Sequence, residues 1–412
     1  MTTPPCRFCG APLTHTFLDL GRQPVANAYL TRTELEAGAE QAWPLHARVC
    51  DRCFLVQVDD AVPPEAIFDA EYAYFSSFSA SWVAHAKRYA EAMAERLDLG
   101  PESLVVEVAS NDGYLLQHFV AMDIPVLGVE PTANTAEAAR AKGVRTEVTF
   151  FNADTAPALA ARYGRADLMA ANNVLAHVPR IGDFAAGFRH MLKDEGVLTF
   201  EFPHLLNLIE QVQFDTIYHE HYSYLSLLTV EQVLRANGLR PFDVELLPTH
   251  GGSLRLFVCH LGAGHEETDA LRALREREAA AGLGRIETYG GFTPRVEAVR
   301  DSFRAFLSQA KAEGKRIAAY GAAAKGNTFL NYCAATSTDV VAAFDANPAK
   351  QGRYLPGSHV PIYGPDAVRE VRPDYVLILP WNLKDEIMGQ LGYIREWGGR
   401  FVTASPETRV LD

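Results

Sequence analysis

"LVVEVASNDGYLL", residues 104–116, reads as a buried strand that stops at a tight turn and passes at once into a helix. The aliphatic run lacks polar alternation, so both of its faces are covered, as in a strand inside a parallel sheet. Gly113 at the turn lets a ligand or a neighbouring backbone approach closely. Ligands of a doubly wound sheet bind beyond the carboxyl ends of its strands, which makes Glu107, Ser110, Asn111, Asp112 and Gly113 candidate site residues.

The pattern repeats outward from this stretch. Aliphatic runs at "PVLGVE", "ADLMAA" and "GVLTFEF" alternate with helical segments, predicting a parallel sheet covered by helices on both faces. The next strand ends in Glu130, a carboxylate placed to accept from both hydroxyls of a ribose. A dinucleotide site asks for G-x-G-x-x-G, whereas this turn has one Gly among acidic neighbours. Glu107 and Asp112 would repel a pyrophosphate and suit a cationic sulfonium with its amino group, so the residues favour S-adenosylmethionine over NAD. A hairpin at "PFDVELL" and "SLRLFVCH" then follows the helix "TVEQVLRANGL", an order found in methyltransferase folds.

Length and charge bound what surrounds this sheet. A chain of 412 residues exceeds one ordinary core and predicts three domains. The boundaries expected are 1–70, 71–262 and 263–412. The last contains a new strand, glycine turn and helix at "KRIAAYGAAAKGNTFLNYC" with strands near "VVAAFD" and "DYVLILP", a second Rossmann-like unit. Its "YGAAAKGN" turn is the one place where an NAD-dependent oxidoreductase could be argued, but it is poor in the glycines required. A net charge of −13 argues against nucleic acid and anionic membranes as partners. With no leader-like start and no long apolar run, the expectation is a soluble cytoplasmic protein, and the fold class gives no reason to expect more than a monomer.

Cysteines fall in two close pairs, "CRFCG" and "CDRCF". Each C-x2-C knuckle puts two thiolates on one turn, and Cys6, Cys9, Cys50 and Cys53 together complete a tetrahedral Zn2+ shell that reads as closed and structural. Cys259 and Cys333 read as core thiols. Between the knuckles and the sheet, "EYAYFSSFSASWVAHAKRYAEAMAERLDL" is an aromatic loop leading into an amphipathic helix, with Trp82, Ala86, Tyr89, Ala90 and Met93 on its packing face.

Two polar stretches remain. "ANNVLAHVP" places Asn172, Asn173 and His177 at a strand terminus, the mouth of the cofactor and substrate site. "IYHEHYSY", residues 217–224, gathers Tyr218, His219, Glu220, His221, Tyr222 and Tyr224 just after the fifth strand. As a strand it would set His219 and His221 on one face and Tyr218, Glu220 and Tyr222 on the other. A metal pair, a packed polar core and acid–base machinery all fit. Acid–base work explains the mixture best, because His titrates near neutrality, Glu orients it and Tyr holds an oxyanion.

Taken in order, "CRFCG", "CDRCF", "EYAYFSS", "VEVASNDGYLL", "GVEPT", "NNVLAHVP", "YHEHYSYLS", "GGSLRLF" and "YGAAAKGN" resemble the nucleotide-sugar C-methyltransferases of antibiotic-sugar pathways, of the kind that methylates C3 of a dTDP-linked 4-keto sugar in tetronitrose formation. The resemblance spans nearly the whole chain. It implies an α/β protein with a zinc-binding N-terminal domain, a central Rossmann-like S-adenosylmethionine domain and a Rossmann-like C-terminal domain. It further implies a dTDP-ketosugar substrate held between domains and a catalytic set of Tyr72, His177, Tyr218, Glu220 and His221. In the chemistry so implied, His221 is the base, helped by Glu220, with His177 and Tyr218 near the enolate oxygen. Tyr72 and Tyr222 lie against the sugar. Ser253 and Arg255 of "GGSLR", and Lys325 at a helix start, are candidates for the diphosphate, with fold-stabilising roles as the alternative.

Overall fold

The aliphatic runs assemble into a seven-stranded sheet in the computed structural model, which describes residues 3–62 and 75–411. Its spatial order is Leu239–Leu247, Ser253–His260, Leu192–Pro203, Ala166–Asn172, Val105–Val108, Val126–Glu130 and Thr146–Val148. Ser253–His260 runs antiparallel to both of its neighbours, so the predicted hairpin is present. From Val105–Val108 the chain steps outward to Thr146–Val148, then returns to lay Ala166–Asn172 on the other side of its starting strand. The direction of winding reverses there, and the flanking helices diverge to leave a crevice. That crevice holds the turn at residues 109–113.

The N-terminal sheet is antiparallel, with His15–Gln23, Trp43–Val49 and Val56–Val58, and it takes its last strand, Ser223–Tyr224, from the central segment. Residues 317–411 build a six-stranded sheet that is parallel except for its last strand, Arg409–Leu411. The N-terminal sheet, residues 205–217 and the C-terminal unit share one hydrophobic core, in which Phe17 stacks on Phe292 with ring centroids 4.6 Å apart. Three units therefore meet around a single segment, the one that precedes "YHEH".

Two helices pack on the central sheet. Helix Asp269–Ala280 buries Leu271 and Leu274 in the core of the central unit, and the Thr268 N–H donates to the Phe242 carbonyl. The apolar stripe of this helix fits the outer strand of the central sheet, so the start of the expected last unit packs against the central one. Helix Ala80–Arg96 buries Ala86, Tyr89, Ala90 and Met93 as its spacing predicts, but Trp82 stays half-buried and stacks on His85 and Tyr114, at 4.9 and 6.0 Å. Among the described residues no helix is long and apolar enough to cross a membrane.

Candidate active site

The cofactor side is built on backbone strain. Ala109, Asn111 and Gly113 all have positive φ, at 58°, 48° and 76°, so the chain reverses sharply after the strand. Asn111 and Gly113 tolerate this conformation, whereas at Ala109 it is strained and persists only where the surroundings enforce it. Here Glu130 accepts the Asn111 and Thr132 N–H groups at 2.9 and 3.0 Å. A Cβ at Gly113 would press on Val144 and Ala139 of the adjoining layer.

Glu107, 1% exposed, has no hydrogen bond of good geometry to either carboxylate oxygen, although the Tyr114 hydroxyl interacts with it. Burial holds its carboxyl well above the usual range. Ser110 Oγ, Asn172 Oδ1 and Asn173 Oδ1 are also buried without partners among the described residues. Buried polar atoms in native folds are paired, so orphans gathered at the carboxyl ends of two neighbouring central strands fit a ligand rich in hydroxyl and amino donors, as S-adenosylmethionine is.

Asp112 commits one oxygen to the fold. Its Oδ2 pairs with Lys142 at 2.9 Å, and Lys142 also donates to Ser77, which ties the turn to residues 76–78, while Oδ1 is buried without a partner among the described residues. The reason is positional: Lys142 caps the end of helix Ala133–Ala141 and reaches back over the turn.

The "YHEH" stretch is a turn, not a strand: the His221 N–H donates to the Tyr218 carbonyl at 2.9 Å. That brings Tyr218 and His221 onto one side and separates them from Glu220. His221 Nδ1 lies 2.9 Å from the Thr216 carbonyl, which only accepts, so Nδ1 carries the proton. Nε2 is then the basic atom, and the Tyr218 hydroxyl donates to it at 2.7 Å. His177 meets the His221 ring edge-on with centroids 4.6 Å apart, and it hydrogen-bonds the Glu220 backbone. Burial holds His221 well below its ordinary pKa and His177 down to about 4, so both rings are neutral at physiological pH.

The expected help of Glu220 to His221 is thereby corrected. Both Glu220 oxygens accept from Asn27 Nδ2, at 2.9 and 2.7 Å, across the boundary with the N-terminal domain. His219 turns away, to the Pro44 carbonyl.

Burial pushes Glu220 up to about 7 from an ordinary 4.5. A carboxyl whose pKa is raised on folding stabilises the fold below its unfolded value and loses that contribution as pH rises through the folded one, here between 4.5 and about 7. By linkage the loss is about 3 kcal/mol. Buried neutral His177 and His221 act in the opposite sense below pH 6.5, so the readout is a difference. Between pH 5 and 8 the ligand-free protein should lose more stability than Glu220→Gln does, measured by denaturant titration; parallel curves would refute the assignment.

The expected substrate residues separate. Lys325 stays within its own unit: Nζ donates to Asn382 Oδ1 at 2.7 Å and sits 4.5 Å from the Trp381 ring, within electrostatic reach of His221. Burial lowers its pKa, opposed by nearby Asp215, whose own carboxyl burial pushes up to about 6. Tyr222 is buried beneath the Arg7 guanidinium and leaves the candidate set. Tyr72 lies outside the described residues.

Arg255 also leaves it. Its guanidinium bonds Glu201 at 3.0 Å and Glu245 at 2.8 Å, and it covers the Tyr89 ring. Ser253 turns inward to the Thr249 carbonyl. Both point off a strand whose two faces are covered, so their side chains hold the sheet and not a diphosphate. Removing one member of a buried pair strands the other charge, so Arg255→Met should cost about 3–5 kcal/mol. Chemical denaturation measures it; a change under about 1 kcal/mol would show that Glu201 finds another cation.

Sequence reading passed over Asn27, Asp215, His250, Trp381 and Asn382. His250 carried a signal: it precedes two glycines in a short strand-to-strand turn, "PTHGGS".

The four cysteine sulfurs lie within 4.8 Å of one another, with Cys6–Cys53 at 3.6 Å and Cys9–Cys50 at 3.5 Å. A tetrahedron of Zn–S bonds about 2.3 Å long has edges of about 3.8 Å, so the thiol set fits zinc, and the separations are far too long for disulfides. Gln57 Nε2 and the Arg52 N–H donate to Cys6 and Cys50 sulfur, the support expected of metal thiolates.

Comparison with known proteins agrees with this layout. Residues 6–68 match a family described as a proposed zinc binding domain, residues 82–244 a methyltransferase domain, and residues 248–406 a C-methyltransferase C-terminal domain. The C-methyltransferase NovU of Streptomyces niveus is 35% identical over 406 residues, covering 98% of this chain and 96% of that protein. Ubiquinone biosynthesis O-methyltransferase of Rhodopseudomonas palustris (strain BisA53) is 25% identical over 158 residues, 33% of this chain and 62% of its own length. Among solved structures, the magnesium protoporphyrin IX methyltransferase of Synechocystis with bound SAM overlays at a TM-score of 0.33 and 14% identity, covering 44% of this chain and 78% of that one, too loose a likeness to bear on activity.

Proposed function

The chain belongs to the S-adenosylmethionine-dependent C-methyltransferases, with a zinc-binding domain ahead of the methyltransferase domain, and from that premise we propose that it methylates C3 of a dTDP-linked 4-keto-6-deoxy sugar, with or without an amino group at that carbon, in deoxysugar biosynthesis. The observation that carries this reading is the neutral Tyr218–His221 dyad. Methylating carbon requires a carbanion equivalent, and a ketone acidifies the adjacent C–H enough for a positioned base to remove its proton. His221 Nε2 is the proton's destination, and the Tyr218 hydroxyl, already hydrogen-bonded to it, is the relay. His177 buttresses the ring, and Glu220, clamped by Asn27, fixes the turn.

Bound S-adenosylmethionine supplies an electrophilic methyl on a sulfonium. Glu107, Ser110, Asn111, Gly113, Glu130 and Asn172 are the residues proposed to hold it, with Asp112 bracing the turn from behind. Lys325, at the C-terminal wall of the same cleft, is proposed for the diphosphate, since its ammonium forms one side-chain hydrogen bond among the described residues, to Asn382, and a bound anion would offset the burial that lowers its pKa. Tyr72 is proposed to close over the sugar.

Incubation with S-adenosylmethionine and a panel of dTDP-4-keto-6-deoxy sugars, followed by mass analysis, tests the reading. One panel member should gain one methyl, bound to carbon by NMR. Methylation on oxygen or nitrogen, or none across the panel, would overturn it.

A further inference from the structure

Neither group expected near the enolate oxygen is free to hold it. Tyr218 donates to His221, and His177 is engaged with the Glu220 backbone. An enolate still needs a donor, because charge builds on the ketone oxygen as the proton leaves. Among the described residues, His250 has both the position and an uncommitted ring nitrogen.

His250 lies in the turn between Leu239–Leu247 and Ser253–His260, with φ 54° in the left-handed region that a bulky residue rarely adopts. Contacts on each side enforce it. Thr249 Oγ1 donates to Glu201 at 3.0 Å, and Gln213 Nε2 donates to the Gly251 carbonyl at 2.8 Å. A side chain at Gly251 would run into the Trp381 ring, and one at Gly252 into Asn207. The glycines let the turn wedge between the central and C-terminal units, and His250 projects from it.

Its ring meets Trp82 edge-on, 5.3 Å between centroids, and Trp82 in turn stacks on Tyr114, which touches Glu107 and Asn172 of the cofactor site. On the other side, the His221 imidazole and the Lys325 ammonium lie within electrostatic reach of the His250 ring. It therefore stands between the methyl donor's pocket and the base, where the accepting carbon has to lie. Its Nδ1 is buried and has no partner among the described residues. Burial also keeps the ring neutral, at about 4, so it can donate a hydrogen bond without introducing a charge.

We propose that His250 is a further catalytic residue, donating from Nδ1–H to the substrate's ketone oxygen as the enolate forms; this rests on the ketone reading above. In that step the C3–H bond breaks and its proton passes through Tyr218 to His221 Nε2. The C–H electron pair becomes the C3–C4 double bond, and the carbonyl π pair moves onto the oxygen that His250 holds, with the His250 proton staying on nitrogen. The enolate then returns its pair to form the C3–CH3 bond, and the S–CH3 pair leaves with sulfur.

Glycine adopts the His250 backbone conformation without strain, so His250→Gly deletes the ring and spares the turn. Asparagine also tolerates it and places an amide N–H near the position of Nδ1. The expected result is a fall in kcat of about 100-fold in His250→Gly with KM and S-adenosylmethionine affinity changed by less than about threefold, and at least about tenfold recovery in His250→Asn. His250→Gly should also slow deuterium uptake at C3 from D2O with S-adenosylhomocysteine bound, a readout that loss of cofactor positioning would leave unmoved. Wild-type kcat and exchange in His250→Gly would overturn the role of His250 alone. A wild-type enzyme that methylates no ketosugar would overturn the substrate reading, and this role with it.

Discussion

His221→Asn should lower kcat by about 10^3-fold, while S-adenosylmethionine affinity stays within about twofold of wild type. The asparagine amide occupies the place of Nδ1 and can still donate to the Thr216 carbonyl, 2.9 Å away in the native turn. What the substitution deletes is Nε2, the atom that accepts from Tyr218. The turn and the cofactor crevice are left standing, so a loss confined to kcat reports the base itself. Tyr218→Phe should cost less, about 10^2-fold, since it removes the relay and leaves a basic nitrogen in place. Isothermal titration with S-adenosylmethionine and steady-state kinetics on the methylated ketosugar separate the two effects. Ordinary turnover in His221→Asn would remove His221 as the base. A burial-depressed pKa also implies that the acid limb of the kcat/KM profile lies below 6.5, because the imidazole stays unprotonated to lower pH than a solvated histidine.

Zinc removal is the second large effect, and it should abolish activity although the metal lies outside the cleft. The path is mechanical. The knuckle holding Cys50 and Cys53 leads directly into strand Val56–Val58, and that strand pairs with Ser223–Tyr224. Val58 N–H further donates to the Tyr222 carbonyl, next to His221. The same domain supplies Asn27, which holds both oxygens of Glu220. Cys53 also anchors the following helix, accepting from Gln232 Nε2 at 3.2 Å through its carbonyl. Structural zinc contributes roughly 10–16 kcal/mol to small thiolate domains, more than an antiparallel sheet of this size can replace by burial. Cys50→Ser, or treatment with a strong chelator, should release about one zinc per chain, expose residues 6–58 to hydrogen exchange and eliminate turnover. Retained S-adenosylmethionine binding would locate the damage in the catalytic turn rather than the crevice. Full activity in zinc-free protein would show that the N-terminal sheet holds its strand pairing unaided.

Much of this molecule was written in local pattern. Uninterrupted aliphatic runs spaced by helices specify a parallel sheet because burial on both faces excludes polar residues from the strand. One glycine in the turn at 109–113 excludes a pyrophosphate cradle, and two C-x2-C pairs specify a tetrahedral thiolate site, because each depends on residue type over a few positions. Where side chains find their partners depended instead on the approach of distant segments. Glu220 meets Asn27 across 193 residues, and Trp381 bonds Asp215 across 166. Arg255 looks like an anion ligand in "GGSLR" until the strand pairing sets it beside Glu201 and Glu245.

The reading of "IYHEHYSY" divides along the same line. Its composition announced proton transfer, since histidine and tyrosine are the side chains suited to it near neutrality. Whether it formed a strand or a turn was decided by the N-terminal sheet, which captures only Ser223 and Tyr224 and leaves residues 218–221 to fold back on themselves. A strand would have placed Tyr218 and His221 on opposite faces, whereas the turn joins them at 2.7 Å. Periodicity and functional-group type, both local, set which chemistry the residues could perform. Which atoms meet depended on long-range packing, because a buried hydrogen bond needs both partners delivered to within about 3 Å by elements far apart in the chain.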